Sequence, residues 1–182
     1  GATSNSFDIT QAPATQLVIT QQPTNTEAGA FISPSLTVEI RDANNNLVST
    51  ATDIVTFAID TDPSSGSATL GGTAAVSAVG GIATFTDLTI DKAFTGYTLV
   101  ATATGLTDAN SNSFNITAST KSQLAFSVQP SDSDQNVNIS PSIQVEIQDA
   151  YGNKTTDTDS ITLAINNNAG PGGTLSGTAT QA

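Results

Sequence analysis

Cysteine, histidine, methionine and tryptophan are all absent from the 182 residues. Without thiolate or imidazole there is no cysteine nucleophile, no imidazole base, and no nitrogen or sulfur metal site. Cations are almost missing too: four Lys and Arg stand against sixteen Asp and Glu, a net charge of −12. Those four, Arg41, Lys92, Lys121 and Lys154, are scattered singly. Nucleic acid is therefore not expected as a partner, because binding it needs clustered cations that release counterions from phosphate. An anionic membrane surface is disfavoured for the same reason. No run of 18 apolar residues occurs and no basic-then-apolar leader, so no membrane insertion is expected in this segment. The lack of cysteine leaves the redox compartment open, since a β-sandwich of about 100 residues buries enough apolar surface to stand without disulfides. The acid-base chemistry that remains belongs to carboxylates, and the metal chemistry to oxygen ligands.

What is present is repetition. Ser4-Asn5-Ser6-Phe7-Asp8-Ile9-Thr10 recurs as Ser111-Asn112-Ser113-Phe114-Asn115-Ile116-Thr117, an offset of 107. The same offset carries Gln16-Leu17 onto Gln123-Leu124 and Ser33-Pro34-Ser35-Leu36-Thr37-Val38-Glu39-Ile40 onto Ser140-Pro141-Ser142-Ile143-Gln144-Val145-Glu146-Ile147. Val55-Thr56-Phe57-Ala58-Ile59 matches Ile161-Thr162-Leu163-Ala164-Ile165 at 106, and Thr69-Leu70 matches Thr174-Leu175 at 105. The two single-residue deletions fall between strands, where a sandwich tolerates them. On this ruler residues 1–13 are the last strand of a preceding repeat, 14–119 a complete repeat, and 120–182 the N-terminal part of the next. The third copy has no counterpart of Ala78 to Thr107. Two explanations stand: a section of a longer protein, or chain ends that pair between subunits of a fibre.

Within the complete repeat, apolar and polar residues alternate with period 2, the pattern of a strand with one buried face. Leu36, Val38 and Ile40 share a face, as do Val55, Phe57 and Ile59; Leu17 with Ile19, Leu88 with Ile90, Leu99 with Ala101, and Phe114 with Ile116 follow suit. Helical spacing is absent and β-branched residues dominate. Gly80-Gly81 reads as a two-residue hairpin turn between Val76–Val79 and Ile82–Phe85, glycine supplying the positive φ. Asp42–Asn46, matched by Asp149–Asn153, reads as a turn held by Asx side chains. About seven short strands in about 100 residues predict an all-β fold, an immunoglobulin-like Greek-key β-sandwich, tandemly repeated. Tyr97, after Gly96 at the start of a strand, suits a tyrosine corner whose hydroxyl bonds back to the preceding loop; the alternative is a tyrosine that only packs.

The series Val38–Val48, Val55-Thr56-Phe57, Ala68-Thr69-Leu70, Gly81–Phe85 and Gly96–Ala101 resembles the bacterial immunoglobulin-like repeats of invasin- and intimin-type adhesins and of very large bacterial surface proteins. The resemblance covers nearly the whole repeat. It departs at the turn, which reads Asn45-Asn46-Leu47 and lacks the usual glycine-asparagine-proline tail. It implies an extracellular or cell-surface stalk, a structural part of an adhesin or filament without catalysis, whose partners are adjacent repeats of the same protein or identical chains in a filament. Five residues between Thr117 and Gln123 would make such an array semi-stiff.

Three i, i+2 carboxylate pairs, Asp60/Asp62, Asp132/Asp134 and Asp157/Asp159, invite comparison with glycoside hydrolysis, which needs two carboxyls at fixed separation in a cleft. They do not recur at equivalent positions, Asp60 falling opposite Asn166 and Asp157 opposite Thr50, so solvated turns are expected. Calcium, which wants several oxygen ligands, is the better functional reading, with Asp42, Asp53, Asp108, Asn110, Asn112 and Asp149 as candidates. Asp108–Asn112 starts like a calcium loop but lacks its glycine and its closing bidentate Glu, and Asx turns explain Asp42 and Asp149 equally well. Lys121 is a candidate for an isopeptide cross-link to an Asn, although its counterpart is Ala14. Asn115, Asn138 and Asn153 begin Asn-x-Ser/Thr sequences. The alternative function is a carbohydrate-binding or adhesive module, disfavoured by an expectation that most of the seven Phe lie on buried faces. A third is a subunit of a filament assembled by strand exchange, with residues 1–10 paired into another chain's sheet.

Overall fold

The computed structural model describes all residues except Ile9, 168–172 and Ala182. Among the described residues the chain is all-β, without helix, and divides into two compact units, Gly1–Ala118 and Ser119–Ala182. Residues 1–13 belong to the first unit, where the Gln11 amide donates to the Leu47 carbonyl at 2.6 Å. The first unit contains β1 (Ala14–Gln21), β2 (Thr26–Glu27), β3 (Leu36–Asp42), β4 (Ile54–Thr61), β5 (Leu70–Gly71), β6 (Ala75–Ser77), β7 (Ile82–Phe85), β8 (Thr89–Ile90), β9 (Thr95–Thr102), β10 (Ala109–Asn110) and β11 (Phe114–Thr117).

One main sheet has the order β1-β3-β7, the other β2-β11-β9-β4-β6 with β10 added to β9, and β5 pairs with β8 in a small separate sheet. Neighbours are antiparallel except β2 and β11, which run parallel with Ile116 opposite Thr26 and Thr117 opposite Glu27. Alternation along each strand sends one set of side chains inward. Leu36, Val38 and Ile40 from the first sheet meet Val55, Phe57, Leu99 and Ala101 from the second in one core. The Phe57 and Phe85 rings meet edge to face with centroids 4.7 Å apart, joining the two sheets. Burying each such side chain contributes roughly 1.5–3 kcal/mol, which is what holds two sheets together without a disulfide. The periodicity identified these faces correctly, except that Ile59 is only partly buried. It missed Ile32 and Val48, core residues that come from loops.

The Gly80-Gly81 turn forms as expected, both residues at positive φ (62° and 79°) and Val79 bridging Ile82. Its flanks correct the simple hairpin: β6 pairs with β4 while β7 pairs with β3, so the chain crosses between sheets here. Close packing explains the glycine, because a Cβ on Gly81 would lie 2.4 Å from the Val48 carbonyl oxygen.

The second unit contains β12 (Lys121–Val128), β13 (Gln144–Asp149), β14 (Ile161–Thr162) and β15 (Thr180–Gln181). β12 pairs with β13 in the register of β1 with β3, step for step at an offset of 107: Leu17 with Ile40 becomes Leu124 with Ile147, and Ile19 with Val38 becomes Phe126 with Val145. Both irregularities in that register recur as well. β14 pairs with β15 as β4 pairs with β6, Val55 with Val76 becoming Ile161 with Gln181. Among the described residues of this unit nothing corresponds to β7, β9 or β11. The inward face of the hairpin is accordingly open: Leu124 is 59% exposed where Leu17 is 4%, and Phe126 46% where Ile19 is 8%.

Candidate functional site

The turn that follows β3, repeated after β13, is the best-defined polar arrangement. Asp42 Oδ1 accepts hydrogen bonds from the Asn44 and Asn46 backbone N–H groups (2.9 and 2.8 Å), and its Oδ2 accepts from Asn46 Nδ2 (3.1 Å). Asp149 does the same with Tyr151 N, Asn153 N and Asn153 Nδ2, each at 2.9 Å, and accepts a fourth bond from Ser119 N at 3.0 Å. An aspartate with its carboxylate folded over its own turn closes that turn locally, because the donors it satisfies lie two and four residues ahead. The Asn46 amide holds the Asp42 carboxyl below the ordinary value. At Asp149 burial pushes upward, but donors from Asn153, Ser119 and Tyr151 together outweigh it and the net direction is down.

These bonds turn each carboxylate onto its own turn. Asp42 and Asp149 lie in different units, each within its own turn. Asp53 is exposed beside β4, and its backbone carbonyl accepts from Ala78 N at 3.0 Å. Asp108 is exposed, Asn110 pairs with Val100 through β10, and Asn112 donates its backbone N–H to Gln22 Oε1 at 2.8 Å. Among the described residues no three acidic side chains gather so as to hold a metal ion.

Asp60 lies near the end of β4, and Asp62, Asp132, Asp134, Asp157 and Asp159 lie in irregular segments outside the strands. Asp60 Oδ2 accepts from the Thr98 hydroxyl at 2.9 Å, while Asp62 Oδ1 accepts from Ser64 N at 2.9 Å and from the Ser64 hydroxyl. The Ser64 hydroxyl is the main cause holding Asp62 low. Asp132 and Asp134 line an open concavity with Val137 and Asn138. Asp157 and Asp159 both face Lys121, Asp159 in direct contact and Asp157 at 3.8 Å. That contact raises the Lys121 pKa, favouring the charged ammonium and not the neutral amine that an isopeptide would require.

Tyr97 makes the corner. Its buried hydroxyl donates to the Lys92 carbonyl at 2.9 Å, and burial pushes its pKa up. Of the glycosylation sequences, Asn153 is buried in the Asp149 turn and Asn115 Oδ1 accepts from Gly96 N at 3.0 Å; Asn138 is exposed.

One expectation fails. Phe57, Phe85 and Phe114 are buried, but Phe7, Phe31, Phe94 and Phe126 are exposed, so most Phe are not. Phe31 and Phe94 lie in loops outside any strand, and Phe126 sits on the face the second unit leaves uncovered. The sequence reading also missed a reciprocal clasp around the small β5-β8 sheet. Asp91 Oδ1 accepts from Thr69 N at 2.7 Å, and Asp87 accepts from Thr73 N and Oγ1 at 3.0 and 2.8 Å. Its trace in the sequence is the matched spacing Thr69–Thr73 and Asp87–Asp91. Among the described residues every buried side-chain nitrogen and oxygen has a hydrogen-bond partner, and no helix is long and apolar enough to cross a membrane. No protein-family model matches the chain, and comparison with curated proteins finds no significant match.

Proposed function

We propose that the chain is a section of a structural spacer: tandem immunoglobulin-like Greek-key sandwiches forming a stalk of a large extracellular or cell-surface bacterial protein, an adhesin or filament, with no catalysis of its own. The observation that carries this is the recurrence of the β1-β3 register in β12-β13, pair for pair at 107 residues, together with the Asp42 turn in Asp149. Repetition of a whole supersecondary unit makes length. The strand order β1-β3-β7 facing β2-β11-β9-β4-β6 and the Tyr97 corner favour the immunoglobulin-like topology. The resemblance to invasin- and intimin-type repeats points the same way. The polar groups of the best-ordered turns are spent on holding the fold, as an inert spacer requires.

The parallel β2-β11 pair suits tension. β2 lies near the N-terminal side of the unit and β11 at its C-terminal side, and in a parallel pair opposed pulls slide one strand past the other. The bonds are then loaded together in shear, including Ala28 N to the Thr117 carbonyl at 2.8 Å. Pulling on the ends of single molecules should give one resolved event for the first unit, releasing roughly 35 nm of chain at about 3.3–3.6 Å per residue. Ala28→Pro, which deletes that donor, should lower the force. A first unit that extends without a resolved event would sink the mechanical reading.

A carbohydrate-binding or adhesive module is the second reading, favoured by Phe31 and Phe94, 63% and 45% exposed and able to stack on a sugar ring. Glycan-array binding lost in Phe31→Ala or Phe94→Ala would bring it forward.

A further inference from the structure

We propose that the connection between β11 and β12 turns at one residue, Ala118, because a hydrogen bond on each side of it fixes the neighbouring peptide plane, and that Asp149 is the residue that sets this limit. The proposal deepens the spacer reading and rests on it, since a stalk keeps its length only if its connections are short and stiff. By sequence, five residues separate Thr117 from Gln123. The hydrogen bonds shorten that stretch. The Thr117 carbonyl accepts from Ala28 N at 2.8 Å, and the Thr117 hydroxyl donates to the Thr26 carbonyl at 3.4 Å, which holds the plane of the 117–118 peptide. Ser119 N donates to Asp149 Oδ2 at 3.0 Å, which holds the plane of the 118–119 peptide. Peptide planes are rigid, so φ and ψ of Ala118 are the two soft dihedrals between them.

A carboxylate offers about four lone-pair sites, and Asp149 fills them with four donors. Tyr151 N and Asn153 N take Oδ1, while Asn153 Nδ2 and Ser119 N take Oδ2. Asp42 makes the first three of these bonds with Asn44 and Asn46, so the turn is complete without a fourth. The Ser119 bond is therefore directed at the entering chain and not at the turn. Asp149 is fully buried, and a buried anion that loses a donor pays in desolvation, which keeps Ser119 in place. A bond from an amide to an ionised acceptor is also about twice as strong as a neutral one.

The loop that follows the turn supplies a second tie. Lys121 Nζ contacts Asp159 directly and lies 3.8 Å from Asp157. Asp157 stands opposite Thr50 in the repeat, and Thr50 also holds the chain that enters its own unit. Its hydroxyl donates to Gln11 Oε1 at 3.2 Å, and Gln11 Nε2 donates to the Leu47 carbonyl at 2.6 Å. The same loop seizes the incoming chain in both units, with a hydroxyl and an amide in one and an ion pair in the other. One task kept while its chemistry changes marks a clip belonging to the repeat.

Backbone nitrogen relaxation by NMR on the full chain tests this. The amides of Ala118 and Ser119 should be as ordered as those of β12, with order parameters of about 0.85 and not the value below about 0.6 of a flexible segment. A scalar coupling across the bond, from the Ser119 nitrogen to the Asp149 carboxyl carbon, should be visible in the unaltered chain. Asp149→Asn keeps one acceptor oxygen for the turn and sets an NH2 group against the Ser119 N–H. The Ser119 order parameter should then fall below about 0.6 while β12 stays ordered, which separates a released connection from an unfolded unit. Lys121→Gln removes only the second tie and should leave Ser119 ordered. A disordered Ser119 or a missing coupling in the unaltered chain would overturn the proposal; so would order that survives Asp149→Asn or is lost in Lys121→Gln. The pulling experiment reads the β2-β11 pair inside the first unit, so this proposal and the spacer reading can fail separately.

Discussion

Leu17 and Leu124 occupy the same step of the same hairpin, opposite Ile40 and Ile147, yet one is buried and the other lies open to water. Everything local is shared between the units: the register, its irregularities, and the aspartate folded over the following turn. What differs is the second sheet. The comparison separates two layers of specification, since the hairpin is set by alternation and turn chemistry within about 30 residues. Burial, and with it most of the stability, comes from strands farther along the chain. Copying the local code therefore makes a hairpin, and a sandwich only when the opposing strands are supplied.

The sharpest break of that comparison is a matched truncation. Leu17→Ala should cost the first unit about 2–5 kcal/mol in urea unfolding, as large-to-small changes in a packed core do. Leu124→Ala should cost under about 1 kcal/mol, because there is no cavity to open. Equal losses would show that the second hairpin is covered. Next in size, Tyr97→Phe should cost about 1 kcal/mol by deleting the hydrogen bond that the Tyr97 hydroxyl donates to the Lys92 carbonyl. A substitution without effect would reduce Tyr97 to packing alone.

Acid should act on both units through the same turn. Asp42, Asp62 and Asp87 in the first unit and Asp149 in the second all have folded values held below the ordinary 3.8. Their contribution is complete above the unfolded value and is lost as pH falls through the folded one, so stability should decline below about pH 4. Asp42→Asn should be less stable than the parent at pH 6 and less sensitive to acid, read from urea midpoints across the range. An unchanged acid slope would mean that the carboxylate bonds at the turn carry no weight.

Much of this was legible in advance because it is local. Period-2 alternation marked the inward faces of β3, β4 and β9, and the Asp42 turn and the Tyr97 corner were readable from a few adjacent residues. The sheet crossing at Gly80-Gly81 was not, because a two-residue turn looks the same whether its flanks pair or part. The Thr69/Asp91 and Thr73/Asp87 clasp was hidden for a similar reason, its partners being 22 and 14 residues apart. Phe31, Phe94 and Phe126 were misjudged because hydrophobicity alone does not say whether a covering element exists. The calcium candidates read as ligands by composition, while the structure places Asp42 and Asp149 in their own turns and leaves Asp53 and Asp108 exposed.

Native-state hydrogen exchange on the matched amides of β3 and β13 puts the claim of one closed and one open unit to its most direct test. Amides of Val38 and Ile40 should exchange only through unfolding of the whole first unit, at least about a thousandfold more slowly than those of Val145 and Ile147, which open locally. Comparable protection in the two strands would contradict the account, because it would mean that the face of Leu124 and Phe126 is already covered.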